Sequence, residues 1–224
     1  MSVLALIPAR GGSKRLPRKN VLPIDGRPIL SYPIEMARKS GLFDQVFVST
    51  EDNEIAKAAI LAGANVIERP VELAQDRSTV VEVCLHALNI LQGVNLICCI
   101  YATAFLLRPE SLINSMKLLD EPPSADFVMG VSEYSFPAVQ ALQSDDFGFL
   151  SYMWPEWQEF QSQFYPKLVV SNGSFYWART ESLQAARSFY GKRLKGYLMD
   201  SSEVTDINTE ADLLEAIRIY RTRK

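Results

Sequence analysis

Val3-Leu4-Ala5-Leu6-Ile7-Pro8-Ala9-Arg10-Gly11-Gly12-Ser13-Lys14-Arg15-Leu16-Pro17-Arg18-Lys19-Asn20 is the stretch from which the fold can be read. Val3 to Ile7 is an unbroken apolar run, the signature of a short strand buried on both faces. Residues 8–23 then form a long polar loop. In open α/β sheets ligands bind beyond the carboxyl ends of the strands, where such a loop lies. Gly11 and Gly12 let backbone N–H groups approach a ligand closely. Arg10, Lys14, Arg15, Arg18 and Lys19 place five cations in ten residues. A triphosphate needs amides to wrap its oxygens and cations to offset about four negative charges. The loop is not a P-loop, because G-x-x-x-x-G-K-[ST] is missing, and Gly11-Gly12 stands without G-x-G-x-x-G. Glu51-Asp52, after the second strand, could imitate a ribose-binding acid. Five cations nevertheless suit a triphosphate better than a pyrophosphate resting on a helix end.

Beyond this loop, apolar runs alternate with helical patterns. Pro28 to Ser40 reads as a helix, with Pro28 at its first position and Gly41 as its C-terminal cap. Val46 to Ser49 is a strand. Asp52 or Asn53 caps a helix to Ala62, which Gly63 ends. Val66-Ile67 is a short strand, and Thr79-Val80-Val81-Glu82 opens a capping-box helix to Leu91. Leu96 to Tyr101 is a strand, Pro109 to Leu119 a helix and Phe127 to Val131 a strand. Strands spaced by helices predict βαβ units in a mostly parallel sheet with both faces covered, within one domain over residues 1–224. The pattern lapses between 133 and about 170, a stretch rich in Phe, Tyr and Trp. It reads as an inserted arm, which either meets a partner or packs on itself as an irregular flap. Ser174 to Ala178 restores a strand, and Thr209 to Arg221 is the last helix.

Composition narrows the function. Of 224 residues, 48% are hydrophobic and 22% charged, an ordinary globular balance. The net charge of −3 argues against general nucleic-acid binding, and makes the basic loop a local concentration. No apolar run is long enough to span a membrane, and the start of the chain does not read as a signal peptide, so a cytoplasmic protein is expected. Cys84, Cys98 and Cys99 lie in apolar surroundings and read as packed, reduced thiols. The lone histidine, His86, falls in an apolar helical pattern and reads as structural; no G-x-S-x-G accompanies it to build a hydrolase.

Near the C-terminus stands Val204-Thr205-Asp206-Ile207-Asn208-Thr209-Glu210-Ala211-Asp212. In an extended segment Asp206 and Asn208 share one face, and two oxygen donors there suit a hard divalent cation. The same residues also suit a helix start, with Asn208 or Thr209 as cap and Glu210 and Asp212 in the first turn. Both can hold at once.

Four segments, in order, are similar to the cytidylyltransferases of nonulosonic acids, the family of CMP-sialic acid synthetases. They are Ile7-Pro8-Ala9-Arg10-Gly11-Gly12-Ser13-Lys14 through Lys19-Asn20, Val48-Ser49-Thr50-Glu51-Asp52, Glu68-Arg69-Pro70-Val71-Glu72-Leu73-Ala74, and Asp206-Ile207-Asn208-Thr209 at the family's DIDT. Cys98-Cys99-Ile100-Tyr101-Ala102-Thr103-Ala104, in place of LLQPTSP, and Ser174-Phe175-Tyr176-Trp177 after Asn172-Gly173 resemble the pseudaminic acid branch. The resemblance implies a Rossmann-like fold, a homodimer built by the arm, and Mg2+. It implies transfer of CMP from CTP to an acidic nine-carbon sugar, with release of pyrophosphate. It also implies roles: Arg10 and Lys19 on the triphosphate, Ala9 to Lys14 with Asn20 shaping that loop, and Arg69 on the nucleotide. Tyr101, Ala102 and Thr103 would line the sugar and base side, Asn172 would face the sugar, and Asp206 with Asn208 would hold the metal. Two positions depart from the pattern: Asn208 replaces an aspartate, and Phe105 replaces a proline.

Overall fold

The computed structural model describes residues 1–223. Its first strand, β1 (Val3–Pro8), lies in the interior of a seven-stranded sheet. A hairpin of β2 (Pro23–Ile24) and β3 (Arg27–Pro28) follows, then α1 (Ser31–Ser40), β4 (Gln45–Thr50), α2 (Asn53–Leu61) and β5 (Asn65–Glu68). The chain returns through α3 (Val80–Ile90) to β6 (Leu96–Ile100), then α4 (Pro109–Lys117) and β7 (Phe127–Glu133). A small hairpin, β8 (Leu142–Ser144) and β9 (Leu150–Tyr152), precedes β10 (Val169–Arg179), α5 (Thr180–Ala186), β11 (Leu194–Leu198) and α6 (Glu210–Thr222). The strand order is β11-β7-β10-β6-β1-β4-β5, and only β10 runs antiparallel to its neighbours. The chain steps outward from β1 through β4 and β5, then crosses back to β6 on the other side of β1. That reversal opens a crevice at the carboxyl ends of these strands.

Alternation along β1 divides the core. Ala5 and Ile7 face α1, α2 and α4, meeting Ile34, Ile55 and Leu112. Leu4 and Leu6 face α3 and α5, meeting Val83, Leu88 and Leu183. Each fully buried Leu, Ile or Val among them contributes about 1.5–3 kcal/mol of transfer free energy. The expected α/β sheet covered on both faces is therefore the observed one. Cys84, Cys98 and Cys99 are buried free thiols within it.

The structure changes three local expectations. Pro28 does not start α1. It pairs with Pro23 across a turn in which Asp25 and Gly26 take φ of 46° and 79°, and the helix begins at Ser31. Asp-Gly is a favoured hairpin turn, so this signal was present in the sequence. Second, β10 starts at Val169, five residues before Ser174. Third, α5 and β11 had no sequence expectation. β11 (Leu-Lys-Gly-Tyr-Leu) is a half-exposed edge strand with a central glycine, and its pattern is weak.

Residues 134–168 run between β7 and β10 and carry the β8–β9 hairpin. Trp157 packs on Phe160 and Tyr165 at 5.2 and 6.2 Å between ring centroids. Phe136, Phe147 and Phe149 remain 82, 87 and 75% exposed. No helix of the described residues is long and apolar enough to cross a membrane.

Candidate active site

The loop after β1 is latched to the end of β4. The Gly11 N–H donates to Glu51 Oε1 at 2.7 Å, and a Cβ on Gly11 would lie 2.5 Å from Asp52 Oδ2, so only glycine fits. Arg18 has a left-handed φ of 57° and donates to both Asp52 oxygens, at 2.5 and 3.0 Å, and to Glu54. These hydrogen bonds from Arg18 hold the Asp52 carboxyl down at about 2. Asp52 at the same time caps α2, accepting from Glu54 and Ile55 N–H. Buried Asn20 donates to the Arg10 carbonyl at 2.9 Å and ties the two limbs of the loop together. The Gly11 amide is committed to Glu51, and Ser13 N–H to the Gly11 carbonyl, so neither points at a ligand in this arrangement. Arg18 is committed to carboxylates of α2, because its backbone turn aims it down rather than into the cleft. Glu51-Asp52 works as this latch.

The remaining cations converge. Arg10, Lys14, Arg15 and Lys19 line a cavity of about 280 Å³ with Ser13, Asn20 and Arg69. Its opposite wall is Leu73 to Asp76 and the start of α3, Thr79, Val80 and Val83. Arg69 is buried and donates from Nε and Nη2 to the Ser49 hydroxyl and carbonyl, at 3.2 and 2.6 Å. This leaves Nη1 without a partner among the described residues. Burial pulls the Arg69 pKa down while Glu51 opposes the shift, and a guanidinium stays charged through such a change. Arg10 and Lys14 both pair with Asp76, which no sequence motif singled out. A larger hollow of about 710 Å³ lies at the other end of the sheet, beside Asn95 and Thr180. It lacks convergent cations; its one arginine, Arg179, is held by Asp120 and backbone carbonyls.

Lys19 joins this cavity to the C-terminal motif. Its Nζ donates to the Ile207 carbonyl at 2.6 Å, 188 residues away in sequence. Burial lowers the Lys19 pKa and so do the charges of Arg15 and Arg10, while Asp206 and Asp212 raise it. Asp206 and Asn208 share one side: Asn208 Nδ2 donates to Asp206 Oδ2 at 2.7 Å. Thr209 is the N-cap of α6, in a capping box with Asp212. The helix-cap reading is thus the observed one, and Asp206 and Asn208 lie side by side as the extended reading expects. Among the described residues no group of three or more His, Cys, Asp or Glu is arranged to hold a metal. One carboxylate beside one amide is nevertheless a donor set that fits Mg2+, which usually takes one or two carboxylates and completes its shell with phosphates and water.

Tyr101, Ala102 and Thr103 turn away from the end of β6, adjoining β1 on the same edge of the sheet. They lie beside the cationic cavity and do not line it. Ala102 is buried; Tyr101 packs on Tyr176 at 5.9 Å, and burial pushes its phenol up. Asn172 lies in an irregularity of β10, where Ser171 opposes Val131 but Tyr176 opposes Met129. Its Oδ1 accepts from Ser174 N–H, and its Nδ2 donates to Ser132 Oγ. A Cβ on Gly130 would come within 2.9 Å of that Oδ1, so the glycine makes room for Asn172. Phe105 is buried against Tyr32 and Tyr220.

A cationic loop at the switch point of an α/β sheet is a place suited to a phosphorylated ligand. The family model described as cytidylyltransferase matches residues 4–144. Pseudaminic acid cytidylyltransferase of Campylobacter jejuni is 33% identical over 227 residues, covering 99% of this chain and 97% of that protein. N-acylneuraminate cytidylyltransferase of Escherichia coli is 29% identical, covering 99% of this chain and 52% of that protein. The solved structure of CMP:2-keto-3-deoxy-manno-octonic acid synthetase complexed with CTP superposes with a TM-score of 0.76 at 15% identity, over the whole of both chains. The chain belongs to the nonulosonic acid cytidylyltransferases, a family of nucleotidyltransferases.

Proposed function

We propose that this protein transfers CMP from CTP to the anomeric hydroxyl of pseudaminic acid and releases pyrophosphate. The observation that carries the reading is the meeting of Arg10, Lys14, Arg15 and Lys19 over buried Arg69, with Asp206 beside Lys19. The similarity over nearly the full length to a pseudaminic acid enzyme supports the choice of sugar. The triphosphate lies along the four cations, and Arg69 Nη1 meets the nucleotide from the cavity floor. Tyr101, Ala102, Thr103 and Asn172 hold the sugar on the adjoining edge. The anomeric oxygen then attacks the α-phosphorus in line, and the bond to the pyrophosphate oxygen breaks. Fixed cations aimed at the departing pyrophosphate stabilise the transition state without reorganising. The Tyr101 phenol, pushed up by burial, stays protonated. Asp206 and Asn208 would hold Mg2+, which neutralises phosphate charge. The aromatic segment 134–168 pairs two copies of the chain.

The test is pyrophosphate release from CTP with pseudaminic, legionaminic, sialic and 3-deoxy-octulosonic acids. Pseudaminic acid should give the highest kcat/KM. A clear preference for another of the four overturns the choice of sugar and leaves the transferase reading standing.

A further inference from the structure

Asp76 is a carboxylate in a cavity otherwise built for anions. Its Oδ1 lies 3.0 Å from Arg10 Nη1, and its Oδ2 pairs with Lys14 Nζ. One side chain thus bridges two of the four cations across the mouth of the cleft, as a phosphate group would. The segment behind it is firmly turned: Ser78 N–H donates to the Gln75 carbonyl, the Ser78 hydroxyl to the Glu72 carbonyl, and Gln75 Nε2 to the Val71 carbonyl. Arg10 Nη1 also reaches the Ala74 carbonyl at 3.5 Å. Asp76 is therefore presented to the loop by a built turn rather than by a wandering side chain. Hydrogen bonds from Lys14 and Arg10 hold its carboxyl below the ordinary range.

We infer that Asp76 is an internal competitor for phosphate: an anion that any ligand needing Arg10 and Lys14 must displace, which loosens the cleft's hold on phosphates, the pyrophosphate product included. The inference rests on the proposed use of this cleft for a nucleoside triphosphate. A competing internal contact lowers the affinity of every anion that needs Arg10 and Lys14, and by the same factor. A nucleoside triphosphate keeps useful affinity through its base and ribose. Inorganic pyrophosphate has no such contacts. After transfer, Asp76 recaptures Arg10 and Lys14 and helps to expel the pyrophosphate product.

The experiment measures binding of inorganic pyrophosphate by calorimetry, with EDTA and then with Mg2+, to the wild type, Asp76→Asn and Asp76→Glu. Product inhibition by pyrophosphate is measured beside it. Asp76→Asn should bind pyrophosphate about threefold to tenfold more tightly and be inhibited by it at correspondingly lower concentration, the range expected for losing an exposed pair of ion contacts. Binding of CTP should tighten by a similar factor, and Asp76→Glu should stay close to wild type. Unchanged or weaker pyrophosphate binding by Asp76→Asn overturns the inference. So does weakening confined to Mg2+, which would make Asp76 a metal ligand. A purely structural role predicts no gain of affinity. A wild type that binds neither CTP nor pyrophosphate defeats the nucleotide reading itself, and the inference with it.

Discussion

Lys19 stands between two demands: a phosphate ligand must be charged, and a half-buried ammonium resists charge. Burial lowers its pKa, so it loses its proton at a lower pH than an exposed lysine would. Because the charged form is the useful one, kcat/KM for CTP should fall on the alkaline side, below the ordinary lysine range. Lys19→Arg should carry that limb upward while retaining measurable activity; a pH profile unmoved by it would place the titrating group elsewhere. Lys19→Ala and Arg10→Ala should each slow turnover about a hundredfold or more, since lost charge stabilisation of a transition state typically costs about 2.7–4 kcal/mol. Near-normal pyrophosphate release by both variants would refute the loop assignment. At the metal motif, Asp206→Asn should nearly abolish activity, with only partial rescue by added Mg2+. Asn208→Asp would set a second carboxylate where an amide now donates to Asp206 at 2.7 Å. Two facing carboxylates repel unless a cation lies between them, so this variant should lower the Mg2+ concentration for half-maximal rate. A titration in which neither variant alters the Mg2+ requirement would reduce the segment to a helix cap. The loop cations were legible because they are adjacent in sequence. Asp76 was not, because its partners lie 66 and 62 positions away and only the crossing from β5 to α3 brings them together.

Elements were legible where their ends carry local chemistry. Thr79 and Glu82 form the capping box that their spacing predicts, and Asp52 caps α2. The β2–β3 hairpin and β11 were missed because stronger or longer patterns beside them dominated the reading. Asp52 also shows how one side chain can serve two elements. Its folded pKa is about 2 against an ordinary 3.8, so its contribution to stability is present above pH 4 or so and fades as pH falls toward 2. Asp52→Ala should cost about 0.5–2 kcal/mol from the lost cap. It should also free the nucleotide loop, raising the KM for CTP. Urea unfolding across this range should show the gap between variant and wild type closing at the acid end. A gap that stays constant with pH would separate Asp52 from the Arg18 pair.

For the whole molecule, the exposed phenylalanines of the 134–168 segment are the feature that a single copy leaves unexplained. A stable dimer buries roughly 800 Å² on each partner, which a segment of this apolar character can supply. Wild-type protein should sediment as a dimer, and the double variant Phe147→Asp, Phe149→Asp as a folded monomer. A wild type monomeric at micromolar concentration would sink the idea. The aromatic composition made this segment visible in the sequence, but its partner is not encoded in any local pattern. β10 ties this surface to the catalytic edge. The strand is exposed at Val169 and Val170, carries Asn172 midway and is buried from Ser174 to Ala178. If two copies meet along this segment, β10 would link that interface to the edge on which Asn172 is proposed to meet the sugar. Dilution should therefore erode affinity for the sugar before affinity for CTP, so that the enzyme gauges its own abundance through its acceptor substrate.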